Sequence, residues 1–280
     1  MVHLLEKPAY QVKVDNFSFT FLGTGTSAGV PVLTCDCEVC TSNDPRDSRL
    51  RCSVCIRFVD ASGQERVVLI DTSPDLRQQA LKLKLTRCDA VLFTHNHVDH
   101  TFGLDDIRMF NISMQQPIDI YAERHTLDHL HRVFQHVFEA HNNVNDSFVA
   151  NLIPNELEVQ NPIVLHGVTF TPIRLLHGRL PIVGFRIDVP GGPSLAYCTD
   201  VSSIPPETWP QLLELDTLVL DMLRFRHHPT HLNLDQAIEI AEQVGAKQTY
   251  FTHMTHCVGH EKTDADLPES MHLAYDGLSI

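Results

Sequence analysis

Short apolar runs, separated by polar segments that contain Gly and Pro, set the pattern of this chain. The runs either alternate apolar with polar residues or are continuously rich in Val, Ile, Leu and Phe, which predicts β-strands. Predicted strands cover residues 17–22, 53–59, 66–70, 90–94, 118–122, 168–176, 183–189, 194–199, 217–222 and 247–252.

Helical periodicity appears between these runs. Apolar residues three or four apart predict helices over 75–85, 126–140, 206–213 and 233–244, the last of which stops at Gly245. The Asn- and Pro-rich stretch 142–161 carries no clear pattern. The order of elements predicts one domain over residues 1–280 with two packed sheets and helices outside, an α/β fold in a four-layer α/β/β/α sandwich.

Composition narrows the classes of function. The chain has 280 residues, is 43% hydrophobic and 20% charged, and carries a formal net charge of −14. This acidity argues against an extended nucleic-acid surface, and no run approaches the roughly 18 apolar residues of a membrane span. Residues 1–8 lack a signal-peptide pattern, so we expect a cytoplasmic protein without a membrane partner.

Four potential metal ligands follow the predicted strand 90–94 directly: His95, His97, Asp99 and His100. Imidazoles and carboxylates suit zinc, manganese or iron. His95 and His97 alternate, so both face one side of an extended segment, whereas Asp99 and His100 point elsewhere and could hold a second ion. Three more candidate ligands each follow a predicted strand: His177, Asp200 and His253.

A second candidate metal site lies in a loop at about residues 35–40, where Cys35, Cys37 and Cys40 crowd together. Three thiolates supply three corners of a tetrahedral zinc site, and without an export signal metal binding is favoured over disulfides. His256, three residues after the candidate ligand His253, is the preferred fourth ligand. Cys257 is its rival.

The other cysteines and several histidines are expected to have no metal role. Cys52 and Cys55 lie in an apparent strand and are predicted to be buried free thiols, with Cys88 and Cys198 in the core. Five histidines on or near the predicted helix 126–140 are expected to be solvated or partly buried: His125, His129, His131, His136 and His141.

His231 stands in the segment P-T-H-L-N between a predicted strand and a helix. It is a candidate general acid or hydrogen-bond donor to a substrate oxygen, although His227 and His228 qualify equally by residue type. Arg224 and Arg226 either contact phosphate or are solvated.

The pattern H-x-H-x-D-H at residues 95–100, with the strand-end ligands, resembles the metallo-β-lactamase superfamily over nearly the whole chain. The resemblance implies the four-layer sandwich of that type. It implies that one ion is bound by His95, His97 and His177, that the other is bound by Asp99, His100 and His253, and that Asp200 bridges both. Asp71 resembles the superfamily's buried aspartate behind the ligands, with helix capping as its alternative role. Asp99 and His231 are the candidate catalytic residues.

Within the superfamily, the cysteine triplet after a G-T-G-T-S loop, the P-T-H-L-N segment and the pair His253 and His256 resemble the PhnP-like cyclic phosphodiesterases. This resemblance implies hydrolysis of ribose 1,2-cyclic phosphate or 2′,3′-cyclic nucleotides by a hydroxide held between two catalytic ions, Mn or Zn. It also implies one structural Zn, a small phosphodiester as partner, no extended nucleic acid, and a homodimer. A PqqB-like accessory protein of coenzyme biosynthesis, which shares the triplet, and a tRNase Z-like nuclease are the alternatives.

Overall fold

The computed structural model describes residues 14–145 and 147–280, so residues 1–8, with the expectation about a signal peptide, lie outside the described part. Two sheets form the centre of the molecule. The first has the order β1-β2-β3-β4-β5-β6, built from Asp15–Gly23, Ser53–Val59, Glu65–Ile70, Ala90–Leu92, Ile118–Ala122 and Leu152–Glu156. The second has the order β13-β12-β11-β10-β9-β8-β7; in chain order its strands are Ile163–Leu165, Val168–His177, Leu180–Asp188, Ser194–Cys198, Thr217–Asp221, Gln248–Thr252 and Met271–Leu273.

Helices cover the outer faces of both sheets. The α-helices α1 to α7 are Leu76–Lys82, Val98–Thr101, Arg108–Met114, Arg124–Val133, Gln135–Phe138, Leu234–Val244 and His260–Ala265. Short 3₁₀ helices span Pro45–Asp47, Leu104–Ile107, Ala140–Asn142 and Pro206–Leu212. No helix among the described residues is long and apolar enough to cross a lipid bilayer.

Three buried apolar clusters lie between four layers. One joins the facing sides of the two sheets, with Phe19 and Ile56 from the first sheet against Phe185 and Tyr197 from the second. A second fills the space between β2–β5 and the helices α1, α3 and α4. The third lies between the other sheet and α6. The predicted four-layer α/β/β/α sandwich is thereby confirmed.

Parallel pairing brings several strand ends to one edge of each sheet. Strands β3, β4, β5 and β6 pair in parallel, as do β10, β11, β12 and β13. Residues that follow the carboxyl ends of these strands therefore meet at one edge, where open α/β sheets bind their ligands. Asp71, His95, Asp200 and His253 all follow such strands.

The single helix predicted over 126–140 is wrong. Helix α4 ends at Val133, Phe134 leaves helical geometry with φ −106° and ψ 40°, and α5 begins at Gln135. Phe134 is buried and packs edge-on against Phe102 with ring centroids 6.0 Å apart. Since this contact is made with a distant segment, local helical periodicity does not reveal the break.

Two further segments differ in detail from the predictions. The helix predicted over 206–213 is present at 206–212 and is of the 3₁₀ type, with Pro210 inside it. The unassigned stretch 142–161 contains β6, an edge strand that includes Pro154 and is largely exposed. An exposed edge strand that contains Pro shows little of the apolar pattern from which strands are predicted.

Candidate metal centre

The hexapeptide changes conformation in the middle, and this change brings its four ligand groups together. His95 and His97 lie on the extended segment after β4, whereas Asp99 and His100 belong to α2, which begins after His97. Ligand atoms of Asp99, His100, Asp200 and His253 all lie within 4.8 Å of one another, as do those of His95, His97 and Asp200. Asp200 is common to both groups, so its carboxylate stands between two potential ion positions.

The distances within these groups suit shared ions. His100 Nε2 lies 3.2 Å from Asp200 Oδ1 and 3.4 Å from Asp99 Oδ2, while His253 Nε2 lies 3.3 Å from Asp200 Oδ2. Two ligand atoms at 2.0–2.2 Å from one ion are separated by about 3–3.5 Å. The Nε2 atoms of His95, His100 and His253 are buried without a hydrogen-bond partner in the described part of the chain. These residues therefore fit divalent cations.

His177 reaches the same centre from the end of β8. Its ring centroid lies 5.1 Å from that of His97 and 5.8 Å from that of His95. Its ligand atom also groups with those of Asp200 and His231. The Nδ1–H of His177 donates to the Thr230 carbonyl over 2.8 Å, which leaves Nε2 for a metal ion.

Burial and charge act in opposite directions on the imidazoles. Burial is the largest influence on His95 and lowers its pKa well below the usual range, and His100 adds to this effect. Burial also lowers the pKa of His100, but Asp200, Asp99 and Asp71 outweigh it and raise the pKa well above the usual range. The carboxylates thus attract positive charge into a buried space, which a divalent cation supplies more strongly than a protonated imidazole.

Asp71 lies behind the ligands, fully buried. Its carboxylate accepts hydrogen bonds from the Thr94 backbone N–H (2.9 Å), the Thr94 hydroxyl (2.8 Å) and His100 Nδ1 (2.7 Å). The Thr94 hydroxyl also accepts from His95 Nδ1 over 2.9 Å, so one carboxylate orients two imidazoles. Helix α1 begins after Asp75 instead, which makes the capping role of Asp71 wrong.

Three residues of the centre adopt a left-handed backbone conformation. The φ angles are 63° for Asp71, 58° for Asp200 and 64° for His253. Non-glycine residues rarely adopt this conformation, and it costs about 1–3 kcal/mol each when they do. Asp71 and His253 follow their strands directly and Asp200 follows β10 after one residue, so in each case the turn aims the side chain where a regular continuation of the strand would not.

Asp221 is a buried carboxylate beside the candidate ligands that the sequence pattern did not single out. It is fully buried at the end of β11, and its Oδ1 lies 3.1 Å from His231 Nδ1 and 3.4 Å from His253 Nδ1. Its Oδ2 accepts from the Leu232 backbone N–H over 2.9 Å. Its position in the sequence was the available signal: Asp221 ends an apolar strand, and Asp71 and Asp200 likewise come at the ends of apolar strands.

His231 lies inside the centre, and the other histidines of its segment lie further out. The His231 ring stacks on the ring of His253 with centroids 4.8 Å apart and packs edge-on against His177 at 4.5 Å. His227 is exposed, whereas His228 is half-buried with its ring 5.2 Å from that of His231. Position and burial therefore favour His231 among the three.

The two arginines before His231 do not contact the metal centre as the structure describes it, and the side chain of Arg224 binds to the backbone of its own loop. The guanidinium of Arg224 donates to the carbonyls of Arg226 and His227 over 3.2 and 3.1 Å. Arg226 is exposed. Neither side chain contacts the candidate metal ligands in any recorded hydrogen bond or ion pair among the described residues, so these contacts fit the solvated alternative.

The structure brings Cys35, Cys37, Cys40 and His256 into a second group. His256 Nδ1 lies 3.2, 3.3 and 3.6 Å from the three sulfur atoms in that order. Tetrahedral zinc with ordinary Zn–S and Zn–N bonds requires S···N separations of about 3.5 Å, so this set fits zinc. Cys257 is exposed and does not join the group, in contrast to its proposed rivalry with His256.

The three thiols of the group differ in acidity. The backbone N–H of Cys40 is the main cause that lowers the pKa of the Cys37 thiol to about 6, with His256 adding to it. Burial raises the pKa of Cys40 to about 11. The remaining cysteines are free thiols, and Cys52, Cys55, Cys88 and Cys198 are buried as expected.

One segment, 252–256, connects the two metal-binding groups. Its backbone is held at Met254, whose N–H donates to Thr24 and whose carbonyl accepts from Thr26. The buried Arg49 guanidinium donates to the carbonyls of Thr255 (3.2 Å) and Val258 (2.7 Å). The position of His253 is thus coupled to that of His256 through a short, fixed backbone.

Comparisons with known proteins identify one family model and several solved structures that are similar to this chain. A model described as the beta-lactamase superfamily domain matches residues 66–254. A crystal structure of a diphosphatase from the PhnP family superposes with a TM-score of 0.85 at 40% identity, over 96% of this chain and 98% of that one. Zn²⁺-bound PqqB from Methylobacterium extorquens superposes with a TM-score of 0.74 at 20% identity, over 94% and 99%, and so shows the fold alone.

A curated relative is longer than this chain. The octanoyltransferase of Porphyromonas gingivalis is 38% identical over 259 residues, which are 92% of this chain and 50% of that protein. The chain therefore spans about half the length of this relative. The donor groups described above fit divalent metal ions by their type and spacing.

Proposed function

Because this chain belongs to the metallo-β-lactamase superfamily and to its PhnP-like branch, we propose that it is a binuclear phosphodiesterase that hydrolyses small cyclic phosphodiesters. Candidate substrates are ribose 1,2-cyclic phosphate and 2′,3′-cyclic nucleotides. The fold and the PhnP-family neighbour support a metal-dependent hydrolase. One observation carries the narrower proposal: His231 contacts the buried carboxylate of Asp221, and its ligand atom lies within 4.8 Å of those of His177 and Asp200, two of the residues that the proposal assigns to the ions.

In this proposal His95, His97 and His177 would hold one ion, Asp99, His100 and His253 would hold the other, and Asp200 would be available as a ligand to either. Cys35, Cys37, Cys40 and His256 hold a structural zinc. The two catalytic ions, Mn or Zn, supply a water of lowered pKa and positive charge for the phosphoryl oxygens when bound.

The protein's own groups supply the proton transfers. His231 would donate a proton to the departing ribose oxygen through Nε2, and its contact with Asp221 through Nδ1 supports this role because it leaves Nε2 without that partner. Asp99 stays ionised: burial alone would raise its pKa, but His100 and His253 hold that pKa well below the usual range. Its carboxylate is thus available both to an ion and to a proton of the attacking water.

The charge of the chain favours a small substrate. Two cations offset the single negative charge of a phosphodiester locally, whereas a formal net charge of −14 repels a long polyanion. A tRNase Z-like nuclease is for this reason the weaker alternative. The other alternative, a PqqB-like accessory protein, shares the thiolate group. If this chain had that role, it would not hydrolyse phosphodiesters.

The neighbours' names add one further candidate. The relative at 40% identity is called a diphosphatase, so a phosphoric anhydride is a second substrate class, attacked by the same groups. Octanoyl transfer is not adopted, because the relative of that name is about twice as long and the centre here consists of metal ligands rather than an acyl-accepting nucleophile.

The test is turnover by the purified chain loaded with Mn²⁺. We expect hydrolysis of 2′,3′-cyclic nucleotides or of ribose 1,2-cyclic phosphate, and its loss in the Asp200→Asn variant. If the protein hydrolyses only a diphosphate ester, its substrates are phosphoric anhydrides rather than cyclic phosphodiesters. Inertness toward all three substrates with a full complement of metal would refute the proposed activity.

A further inference from the structure

Thr230 contacts two histidine side chains at once, one of which is a candidate metal ligand. Its carbonyl accepts from Nδ1 of His177 over 2.8 Å, and its backbone N–H and hydroxyl lie 3.4 and 3.1 Å from Nδ1 of His228. Its Cγ2 lies so close to Gly178 that an added Cβ there would be 2.8 Å from it. The segment that carries His228 is therefore packed against the end of β8, where His177 enters the centre.

The hydrogen bond from Thr230 fixes which nitrogen of His228 carries the proton. A backbone N–H can only donate, so Nδ1 of His228 accepts and the ring proton sits on Nε2. Burial lowers the pKa of His228, and His231 and Arg224 lower it further, which keeps the ring neutral. Nε2 has no recorded partner among the described residues and is not one of the buried unpartnered atoms. His228 therefore offers one N–H to a ligand at the surface of the site.

This donor lies directly beside His231. The two rings are 5.2 Å apart between centroids, and His231 in turn packs against His177 at 4.5 Å and stacks on His253 at 4.8 Å. His231 is only 8% exposed, whereas His228 is half-buried, so His228 lies on the outer side of this group of rings. A substrate that reaches from the ions past His231 therefore meets His228 next.

We infer that His228 is a substrate-contacting residue that binds an oxygen of the sugar, next to the oxygen that His231 would protonate. This inference rests on the proposed function and adds recognition of the leaving group to it. A ribose carries further hydrogen-bond acceptors close to the departing oxygen, and rings 5.2 Å apart can both reach one sugar. A phosphoryl oxygen is the weaker candidate, because the candidate metal ligands lie on the inner side of His231. The contact is a neutral hydrogen bond, so it acts on substrate binding rather than on proton transfer.

The experiment compares 2′,3′-cyclic AMP with methyl p-nitrophenyl phosphate, using the full chain loaded with Mn²⁺. The second substrate has no sugar, and its leaving group needs no proton. Loss of one neutral hydrogen bond lowers affinity about three- to tenfold. We expect His228→Ala to lower kcat/KM for the cyclic nucleotide by this factor, mainly through KM, and to leave the p-nitrophenyl ester unchanged. His228→Gln, whose amide can donate from nearly the position of Nε2, should restore the value.

Two further variants separate contact with the substrate from a structural effect. His227→Ala is the matched control and should match wild type, because His227 is exposed and its side chain has no recorded contact among the described residues. Thr230→Val removes the hydroxyl beside His228 but keeps the carbonyl that binds His177, so it should show a smaller loss, again confined to the cyclic nucleotide. Thermal melting shows whether each variant is folded. Equal losses on both substrates, a loss in kcat instead of KM, or no loss in His228→Ala would overturn the inference.

Binding distinguishes this inference from the proposed function. If wild type hydrolyses no cyclic nucleotide, calorimetry with adenosine 2′-monophosphate and with phenyl phosphate on the metal-loaded protein replaces the kinetics. Weaker binding of adenosine 2′-monophosphate alone to His228→Ala keeps the sugar contact although the proposed activity fails. Absence of nucleotide binding to wild type, or the same change for both compounds, including no change, removes the sugar contact.

Discussion

The carboxylate of Asp221 accepts a hydrogen bond from Nδ1 of His231 over 3.1 Å, from a fully buried position at the end of β11. The same oxygen lies 3.4 Å from Nδ1 of His253. One buried acid thus orients a candidate proton donor and a candidate metal ligand, whose rings stack 4.8 Å apart. The chemistry proposed for His231 depends on this shared contact.

Asp221→Asn is expected to lower kcat about 10–100-fold, as loss of an outer hydrogen-bond partner of a metal ligand does. The NH₂ group of Asn would face either the Nδ1–H of His231 or the backbone N–H of Leu232. Both of these are donors and need an acceptor. Steady-state kinetics with a saturating metal concentration measure the effect. Asp216→Asn, one residue before the same strand and paired with Lys247, is the control. Unchanged kcat in Asp221→Asn would contradict the orienting role.

His231→Ala is expected to reduce hydrolysis about 10²–10⁴-fold when the leaving group is a ribose alkoxide, because that oxygen needs a proton. A p-nitrophenyl phosphodiester should lose far less, since p-nitrophenolate leaves without protonation. The ratio of the two losses is the measurement, together with metal content by mass spectrometry. Equal losses, or loss of an ion, would assign His231 a role in binding metal instead.

Asp71→Asn should weaken catalytic metal binding about 10–100-fold, because the amide keeps only one acceptor oxygen: its NH₂ group would face either the Thr94 backbone N–H, or His100 Nδ1 and the Thr94 hydroxyl. Titration of the metal-free protein with Mn²⁺, followed by recovery of activity, gives the affinity. Asp75→Asn serves as the comparison, since Asp75 pairs with Arg51 away from the ligands. Equal Mn²⁺ affinities in the two variants would argue against a role for Asp71 in orienting the metal ligands.

Cys37→Ser should remove the ion most resistant to mild chelation and leave the other two. A ligand at one hundred times its Kd stabilises a fold by about 2.7 kcal/mol. Its loss corresponds to a fall in Tm of roughly 5–11 °C. Metal analysis before and after chelation, with calorimetry, tests both effects. Cys257→Ser, whose thiol is exposed outside the group, should keep all three ions.

The thiols of the zinc-stripped protein should differ in reactivity. The pKa of Cys37 is lowered to about 6 and that of Cys40 is raised to about 11. Since the thiolate form is present above the pKa, Cys37 is mostly thiolate at pH 7 and Cys40 is protonated. Alkylation by iodoacetamide, followed by peptide mass spectrometry, should label Cys37 first, with a midpoint near pH 6. Faster labelling of Cys40 would reverse this order.

Ligands that are neighbours in the chain were predictable from the sequence. The hexapeptide from His95 to His100 and the triplet Cys35, Cys37 and Cys40 place donor groups within a few residues, so composition and spacing suffice. Most strands were also predictable, because each carries its own apolar pattern. His256 was predicted from its closeness in sequence to His253.

Contacts between distant segments were not accessible in this way. Asp221 looks like an ordinary end of a strand until folding brings His231 and His253 to it, ten and 32 residues further along. The break at Phe134 and the edge strand β6 depend likewise on packing against Phe102 and β5. Local sequence patterns indicate which secondary structure a segment prefers and which of its faces is buried. Which acid meets which imidazole depends on how the two sheets are packed, and only the folded chain decides it.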